Sequence, residues 1–333
     1  MNEQEMWKTF CLEEDVDPET EYDAWAFGGT DSMADELAAL VLKGKKTATA
    51  SWYDEYVFDN VPIPEKGAYS VILNSKDEAL CIVRNYCVSC VPFREVTHWH
   101  AYLEGEGDRS LRHWQNVHED FFSDAAERIG DRFDDRGRVV LEKFTVVYPK
   151  EAADRSDLLL LEPSPDMAPL MDKYRQEFLD FGSSMDGAGI RAEEDIKEWV
   201  ERKMLYADPV SVLPENIVRA TQLIAYRKSD GKPVGTIQIR HELNDYLRKY
   251  AGHVGYSVRP SERRKGYAKA MLREVVPYCR ALGIDDIHIS CVEGNEGSRR
   301  TILSAGGKYI DTVKEPDRGL TLERYQIRKR QRI

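Results

Sequence analysis

Arg263-Arg264-Lys265-Gly266-Tyr267-Ala268 follows an apolar, strand-patterned segment over 253–258 and opens a helical pattern that runs to about Ala281. A strand that turns through a glycine into a helix leaves several backbone N–H groups without internal partners. Together with the positive end of the helix dipole, those groups make a ready site for a diphosphate. Gly266 permits close backbone approach, and the small Ala268 lets the first helical turn sit against a ligand. The plainer alternative is a basic helix N-terminus with no ligand.

A second set of residues lies in the first half. Gly44-Lys45-Lys46-Thr47-Ala48-Thr49 follows a helical stripe, and Glu104-Gly105-Glu106-Gly107-Asp108 stands ahead of another helical pattern. Taken alone, Lys46 can pair with Glu104 or Glu106 across a cleft, and Thr49 can be an ordinary strand residue. The acidic loop can be a turn with Asp108 as helix N-cap. His98, His100, His113 and His118 invite a metal, yet no third ligand joins any pair at a defined spacing. Cys87-x-x-Cys90 also lacks a second pair, so no metal is expected. We read those cysteines as buried thiols of a strand in a reducing compartment. Among Trp52, Tyr53, Tyr56, Trp99 and Trp114, packing is the default role, with Trp52 the one candidate for stacking on a nucleobase.

Several elements must position these groups. In the first half, a helix is expected over 31–43, with Asp31 or Ser32 as N-cap, and another over 111–122. Strands are expected over 67–73, 80–91 and 139–148. The polar run Tyr148 to Asp157, with its proline, is the boundary candidate. Beyond it come a strand over 158–161, helices over 166–181 and 193–203, and strands over 221–226 and 234–240. The segments 253–258 and 286–292 then flank the helix that begins near Lys265.

The order strand, Arg-x-x-Gly-x-Ala turn, helix, strand, then Asn295-x-x-Ser298 and the Gly306-Gly307 stop resembles the GNAT family of acyl-CoA N-acetyltransferases, from about Leu158 to the end. The resemblance implies that acetyl-CoA is the co-substrate and that its thioester lies between two splayed strands, where an amine attacks it. It further implies that the Val258 backbone bonds the pantetheine arm. The run Arg263, Arg264, Lys265, Gly266, Tyr267, Ala268 would cradle the diphosphate, and Asn295 and Ser298 would line the channel. A Tyr that many members carry as general acid is replaced here by Ile302, and Tyr309 falls on the next strand. The general base is left open among His241, Glu242 and His253, of which His253 has the most suitable intrinsic pKa.

Gly44 to Thr49 together with Glu104 to Asp108, Ser110, Trp114 and His118 resemble the ASCH family, a small barrel related to RNA-binding PUA domains, over about Trp7 to Tyr148. Some members are amidohydrolases that remove acetyl from acetylcytidine. By that resemblance the catalytic set is Lys46, Thr49 and Glu104. Two acids beside Lys46 would favour its charged form, which handicaps it as a base. Binding of a nucleoside or an RNA end is therefore expected, with slow or absent deacetylation.

At 333 residues the chain is long enough for two domains, and its 42% hydrophobic and 32% charged content is that of a globular protein. A formal net charge of −12 argues against a broad nucleic-acid-coating surface while leaving room for a local basic cleft. The C-terminal run from Arg328 to Arg332 reads as a solvated tail. No apolar run is long enough to span a bilayer, and the N-terminus does not resemble a secretory signal. The expectation is an α+β protein: a PUA-like small β-barrel over 1–150, then a GNAT α/β domain with a mixed sheet over 158–333. It would act in the cytoplasm as an N-acetyltransferase on a small amine, with no membrane partner. The alternatives are an acetylcytidine-deacetylating ASCH domain and an RNA-binding module that positions the acetyltransferase.

Overall fold

The computed structural model describes residues 1–152, 156–191 and 193–329. Two compact units divide the chain, Met1–Arg155 and Ser156–Ile333. Within the expected boundary run, Ala153, Asp154 and Arg155 lie outside the described residues, as do Arg330 to Arg332 of the expected tail.

The first unit contains α1 (Glu3–Glu14), β1 (Tyr22–Ala26), α2 (Asp31–Leu42), β2 (Ala48–Trp52), α3 (Tyr53–Asp59), β3 (Tyr69–Leu73), β4 (Ala79–Pro92), α4 (His98–Glu104), α5 (Leu111–Arg128) and β5 (Arg138–Tyr148). Its strands form one curled sheet in the order β1-β3-β4-β5-β2, parallel only between β1 and β3. The run Val71-Ile72-Leu73 is apolar at every position because both faces of β3 are covered. Val71 and Leu73 pack with Met6, Trp7 and Phe10 of α1, whereas Ile72 packs with Ala38 and Val41 of α2. The helix expected over 31–43 forms, but Thr30 caps it through a bond from the Met33 N–H, in place of Asp31 or Ser32. Likewise Ser110, not Asp108, caps α5; the Asp108 carboxylate instead accepts the Ser110 N–H. Cys87 is half-buried and Cys90 exposed, which corrects the expectation of buried thiols there.

The second unit contains β6 (Leu158–Leu161), α6 (Ala168–Asp180), α7 (Ile196–Ala207), β7 (Ala220–Arg227), β8 (Lys232–Arg240), β9 (Val254–Val258), α8 (Tyr267–Ala281), β10 (Asp286–Val292), α9 (Glu296–Ser304), β11 (Lys308–Lys314) and β12 (Thr321–Arg328). Met171, Tyr174 and Phe178 recur at helical spacing along α6 and bury, with Trp199 and Val200 of α7, against Ile224 and Tyr226 of β7. Gly235 interrupts β8 because a Cβ there would stand 2.8 Å from the Met271 methyl of α8. The expected sheet is divided in two, β6-β7-β8-β9 and β10-β12-β11, each antiparallel. That division falls where a ligand was expected.

Candidate functional sites

In the first unit, α2 ends at Leu42 and the chain turns through Gly44 so that Lys46 is buried. Thr47 N–H donates to the Leu103 carbonyl, which ties this turn to the end of α4. Gly105 is required at the point of closest approach: its φ is +76° and a Cβ would sit 2.3 Å from the Lys45 carbonyl oxygen. The Glu-Gly-Glu spacing thus folds Glu104 and Glu106 around one lysine. Lys46 Nζ donates to Glu104 Oε2 at 2.5 Å and to Glu106 Oε1 at 2.7 Å. Lys46 and Glu104 are each 1% exposed, so this is a buried charge cluster.

Glu104 is further held by the Trp114 indole N–H at 2.9 Å and by His100 Nε2 at 3.1 Å, both on Oε1. Burial pushes its carboxyl up, but the Lys46 charge and the His100 bond outweigh burial and hold it far below the usual carboxylate range. Burial pulls the Lys46 ammonium down, yet Glu104 and Glu106 reverse that and keep it above the ordinary lysine range. A lysine so held is a charged anchor at neutral pH, with no lone pair to act as a base.

Lys46, Thr49 and Glu104 line one cavity of about 1180 Å³. Thr49 lies on β2, and no hydrogen bond joins it to Lys46 among the described residues. Its cross-strand partner on β5 is Glu142, so the two side chains share a sheet face. Glu142 is 7% exposed and its carboxylate accepts from Asn85 at 2.6 Å. Burial raises its pKa, with Asp23 adding to the shift against the Asn85 bond. Sequence reading passed over Glu142, although a Glu inside the apolar run Val139 to Tyr148 was a signal. Trp52, the expected base-stacking residue, is instead 1% exposed and packed against Phe122 and Phe133. Tyr56 does line the cavity, its hydroxyl 2.8 Å from Ser51 Oγ.

In the second unit, the chain touches the middle of β10 just before it enters β9. An isolated bridge joins Gly252 to Ile289, and His253 N–H donates to the His288 carbonyl at 2.7 Å. From there β9 continues in one sheet and β10 in the other, with no ladder of hydrogen bonds between them among the described residues. Beyond β9 the chain passes through Arg264 (φ +67°) and Gly266 (φ +90°) into α8. The first bond into the helix runs from Ala270 N–H to the Gly266 carbonyl, so the N–H groups of Tyr267, Ala268 and Lys269 lack intrahelical partners.

Side chains around this turn are partly committed elsewhere. Arg263 donates to the Val258 carbonyl and to Ser183 Oγ, and Lys265 pairs with buried Glu262 at 2.8 Å. Burial would raise the Glu262 pKa, but Lys232, Lys265 and Arg227 bring it down to about 2. Arg264 is exposed beside the turn. Asn295 caps α9 by accepting the Ser298 N–H at 3.1 Å. Ser298 Oγ lies 2.8 Å from the hydroxyl of Tyr256, a residue sequence reading did not single out, which reaches from β9 to α9. Burial pushes that hydroxyl up to about 12, so it carries its proton at neutral pH. Ile302 is fully buried, and Tyr309 is exposed on β11 with its hydroxyl 2.7 Å from Thr312.

His253 Nδ1 accepts the His288 N–H at 3.0 Å. Burial, then His288, Arg240 and Arg248, lower its pKa to about 4. The neutral ring therefore carries its proton on Nε2 and has no lone pair left for an incoming amine. Of the other expected bases, His241 Nε2 lies 2.9 Å from Thr221 Oγ1, whereas Glu242 is exposed. No group of three His, Cys, Asp or Glu side chains able to hold a metal occurs among the described residues.

Residues 23–148 match the model of the ASCH domain, and residues 158–308 match that of the acetyltransferase (GNAT) domain. No curated protein matches the chain. Among solved structures, an ASCH domain from Lactobacillus crispatus is similar at 31% identity, over 44% of this chain and 94% of that one, with a TM-score of 0.42. The microcin C7 self-immunity acetyltransferase, solved with acetyl-CoA and AMP, is similar at 20% identity, over 53% and 94% of the two chains, with a TM-score of 0.40. A GNAT-family acetyltransferase from Bacillus anthracis gives 17% identity, 53% and 96% coverage and a TM-score of 0.40.

Proposed function

Because this chain is an ASCH domain joined to a GNAT acetyltransferase domain, we propose that it moves an acetyl group from acetyl-CoA to a small-molecule amine. The observation that carries this reading is the parting of β9 from β10 above a turn whose N–H groups are free of the helix. An extended pantetheine arm fits between strands that have lost each other's hydrogen bonds, beside the Val258 backbone. A diphosphate fits the positive N-terminus of α8, bounded by Arg263, Arg264, Lys265, Gly266, Tyr267 and Ala268. Asn295 and Ser298 line the far side of the opening. In the reaction the amine nitrogen attacks the thioester carbonyl, a C–N bond forms and the C–S bond breaks. The amine gives up a proton and the thiolate gains one.

The first domain is read as a binding module for a nucleoside. Its lysine is pinned as an ammonium by Glu104 and Glu106, a state that suits anchoring and not proton abstraction. The six free cysteines favour a reducing compartment, the cytoplasm. Among the described residues no helix is long and apolar enough to cross a membrane.

The test is release of free CoA thiol from acetyl-CoA by the full chain, with a panel of primary amines, amino-acid amides and amino-bearing nucleosides. Release should depend on at least one amine. Absence of amine-stimulated release with every member, from protein that binds acetyl-CoA, would sink the transferase reading. Acetate release from acetylcytidine should be slow or absent; rapid release abolished in Lys46→Ala would instead make the first domain a hydrolase.

A further inference from the structure

The cavity of the first domain carries a charge pattern that the pairing of Lys46 does not use up. Seven carboxylate side chains line it, against the ammonium groups of Lys46 and Lys66. Lys46 is already spent on Glu104 and Glu106. Glu142 also lines the cavity, more than nine-tenths buried, with one carboxylate oxygen bonded to Asn85 and no ion-pair partner among the described residues. Asp23 and the Tyr56 ring lie close enough to Glu142 to feel its charge. A buried carboxylate costs free energy unless a cation or several N–H donors meet it. Tyr22, Trp25, Phe27, Tyr69 and Phe121 add aromatic rings to the same space, among aliphatic side chains such as Met33, Leu37 and Ile63. Ring faces carry a negative quadrupole, which favours a cation as well as a flat π-system.

We propose that the ASCH cavity selects a flat, unphosphorylated molecule that presents a cationic or amino group to Glu142, and that it rejects phosphorylated ligands, RNA among them. This deepens the reading of the first domain as a nucleoside-binding module and rests on that reading for the size of the ligand. A nucleobase amino group can donate to the free Glu142 oxygen while the ring lies among these aromatic side chains. A phosphate entering the same space meets a surplus of carboxylates, and like charges repel. The expected cleft for RNA would need the opposite sign.

The experiment is calorimetry on the full chain with three probes: cytidine, cytidine 5′-monophosphate, and tryptamine, a flat aromatic ammonium. Cytidine and tryptamine should bind, and the monophosphate should bind at least about tenfold more weakly than cytidine. In Glu142→Gln, which keeps shape and the Asn85 contact, tryptamine affinity should fall by at least about tenfold. Circular dichroism and the melting temperature establish that the variant is folded. Monophosphate binding as tight as cytidine, or unchanged tryptamine affinity in the folded variant, overturns the proposal. Failure of the nucleoside reading looks different: tryptamine binds through Glu142 while cytidine does not.

Discussion

Lys46 shows how far a residue's chemistry depends on its neighbours. In the sequence its pairing with Glu104 or Glu106 was one open reading, and only the family resemblance brought these distant residues to one cleft. Glu104 first, and Glu106 with it, outweigh burial and hold the lysine charged. Removing one partner of a buried charge cluster leaves the others uncompensated, so Lys46→Met should destabilise the protein by about 3–5 kcal/mol in urea unfolding near neutral pH. Adding Glu104→Gln should restore part of that loss; equal stability of the single variant and wild type would contradict the cluster's role. His253 illustrates the reverse case, a residue type that promised acid–base chemistry. Its pKa of about 4 lies below the ordinary 6.5, so the neutral ring stabilises the fold above pH 6.5. That stability is lost as pH falls from 6.5 toward about 4, by ~3 kcal/mol. In His253→Asn the side-chain oxygen can accept the His288 N–H. Its unfolding free energy should vary less over this window, and turnover should drop by less than about tenfold. Removing a true general base costs roughly 10²–10⁴-fold, and a loss of that size would restore His253 as the base. No sequence pattern could tell which ring nitrogen was occupied, because a backbone N–H from another strand occupies it.

The elements with the clearest signals were those with one strongly patterned face. β6 and β10 fall where the apolar runs placed them, and α8 starts within two residues of its expected position, allowing for the αL turn at Gly266. α1 and β1 carried weaker signals. In α1 only Met6, Trp7, Phe10 and Cys11 are buried, a narrow stripe in an acidic segment, and β1 is a five-residue edge strand paired only with β3. β2 was missed because Ala48-Thr49-Ala50-Ser51 has little strand propensity; it is held instead by pairing with β5. The division of the second sheet was implied by family resemblance alone, since periodicity does not report which strands fail to pair. At the element scale, Gly252 is the hinge pin of that division. Its φ is +73°, and a Cβ would lie 2.1 Å from the His288 carbonyl oxygen. Gly252→Ala should therefore cost on the order of 2 kcal/mol or more. It should also weaken acetyl-CoA binding by disturbing the bridge to Ile289, read by thermal shift with and without the ligand. Unchanged stability and unchanged ligand shift would show that the bridge does not set the opening.

The chain combines a net charge of −12 with two units that each bury their own core. Limited proteolysis is expected to cut within 149–157 and leave two stable fragments; a single cooperative unit resistant there would contradict independent folding. Carboxylates outnumber lysines around the first cavity, whereas the turn before α8 is locally basic, so the two domains suit ligands of opposite sign. The central claim is that this basic turn is the acetyl-CoA site, and it is tested most directly by calorimetric titration of acetyl-CoA into the wild-type chain and into Gly266→Glu. Gly266 is open to solvent on its Cβ side with φ +90°, so the variant places a carboxylate at the diphosphate position and strains the turn with no core clash. One acetyl-CoA should bind the wild type, and binding should be lost in the folded variant. Unchanged affinity in folded Gly266→Glu would contradict the account.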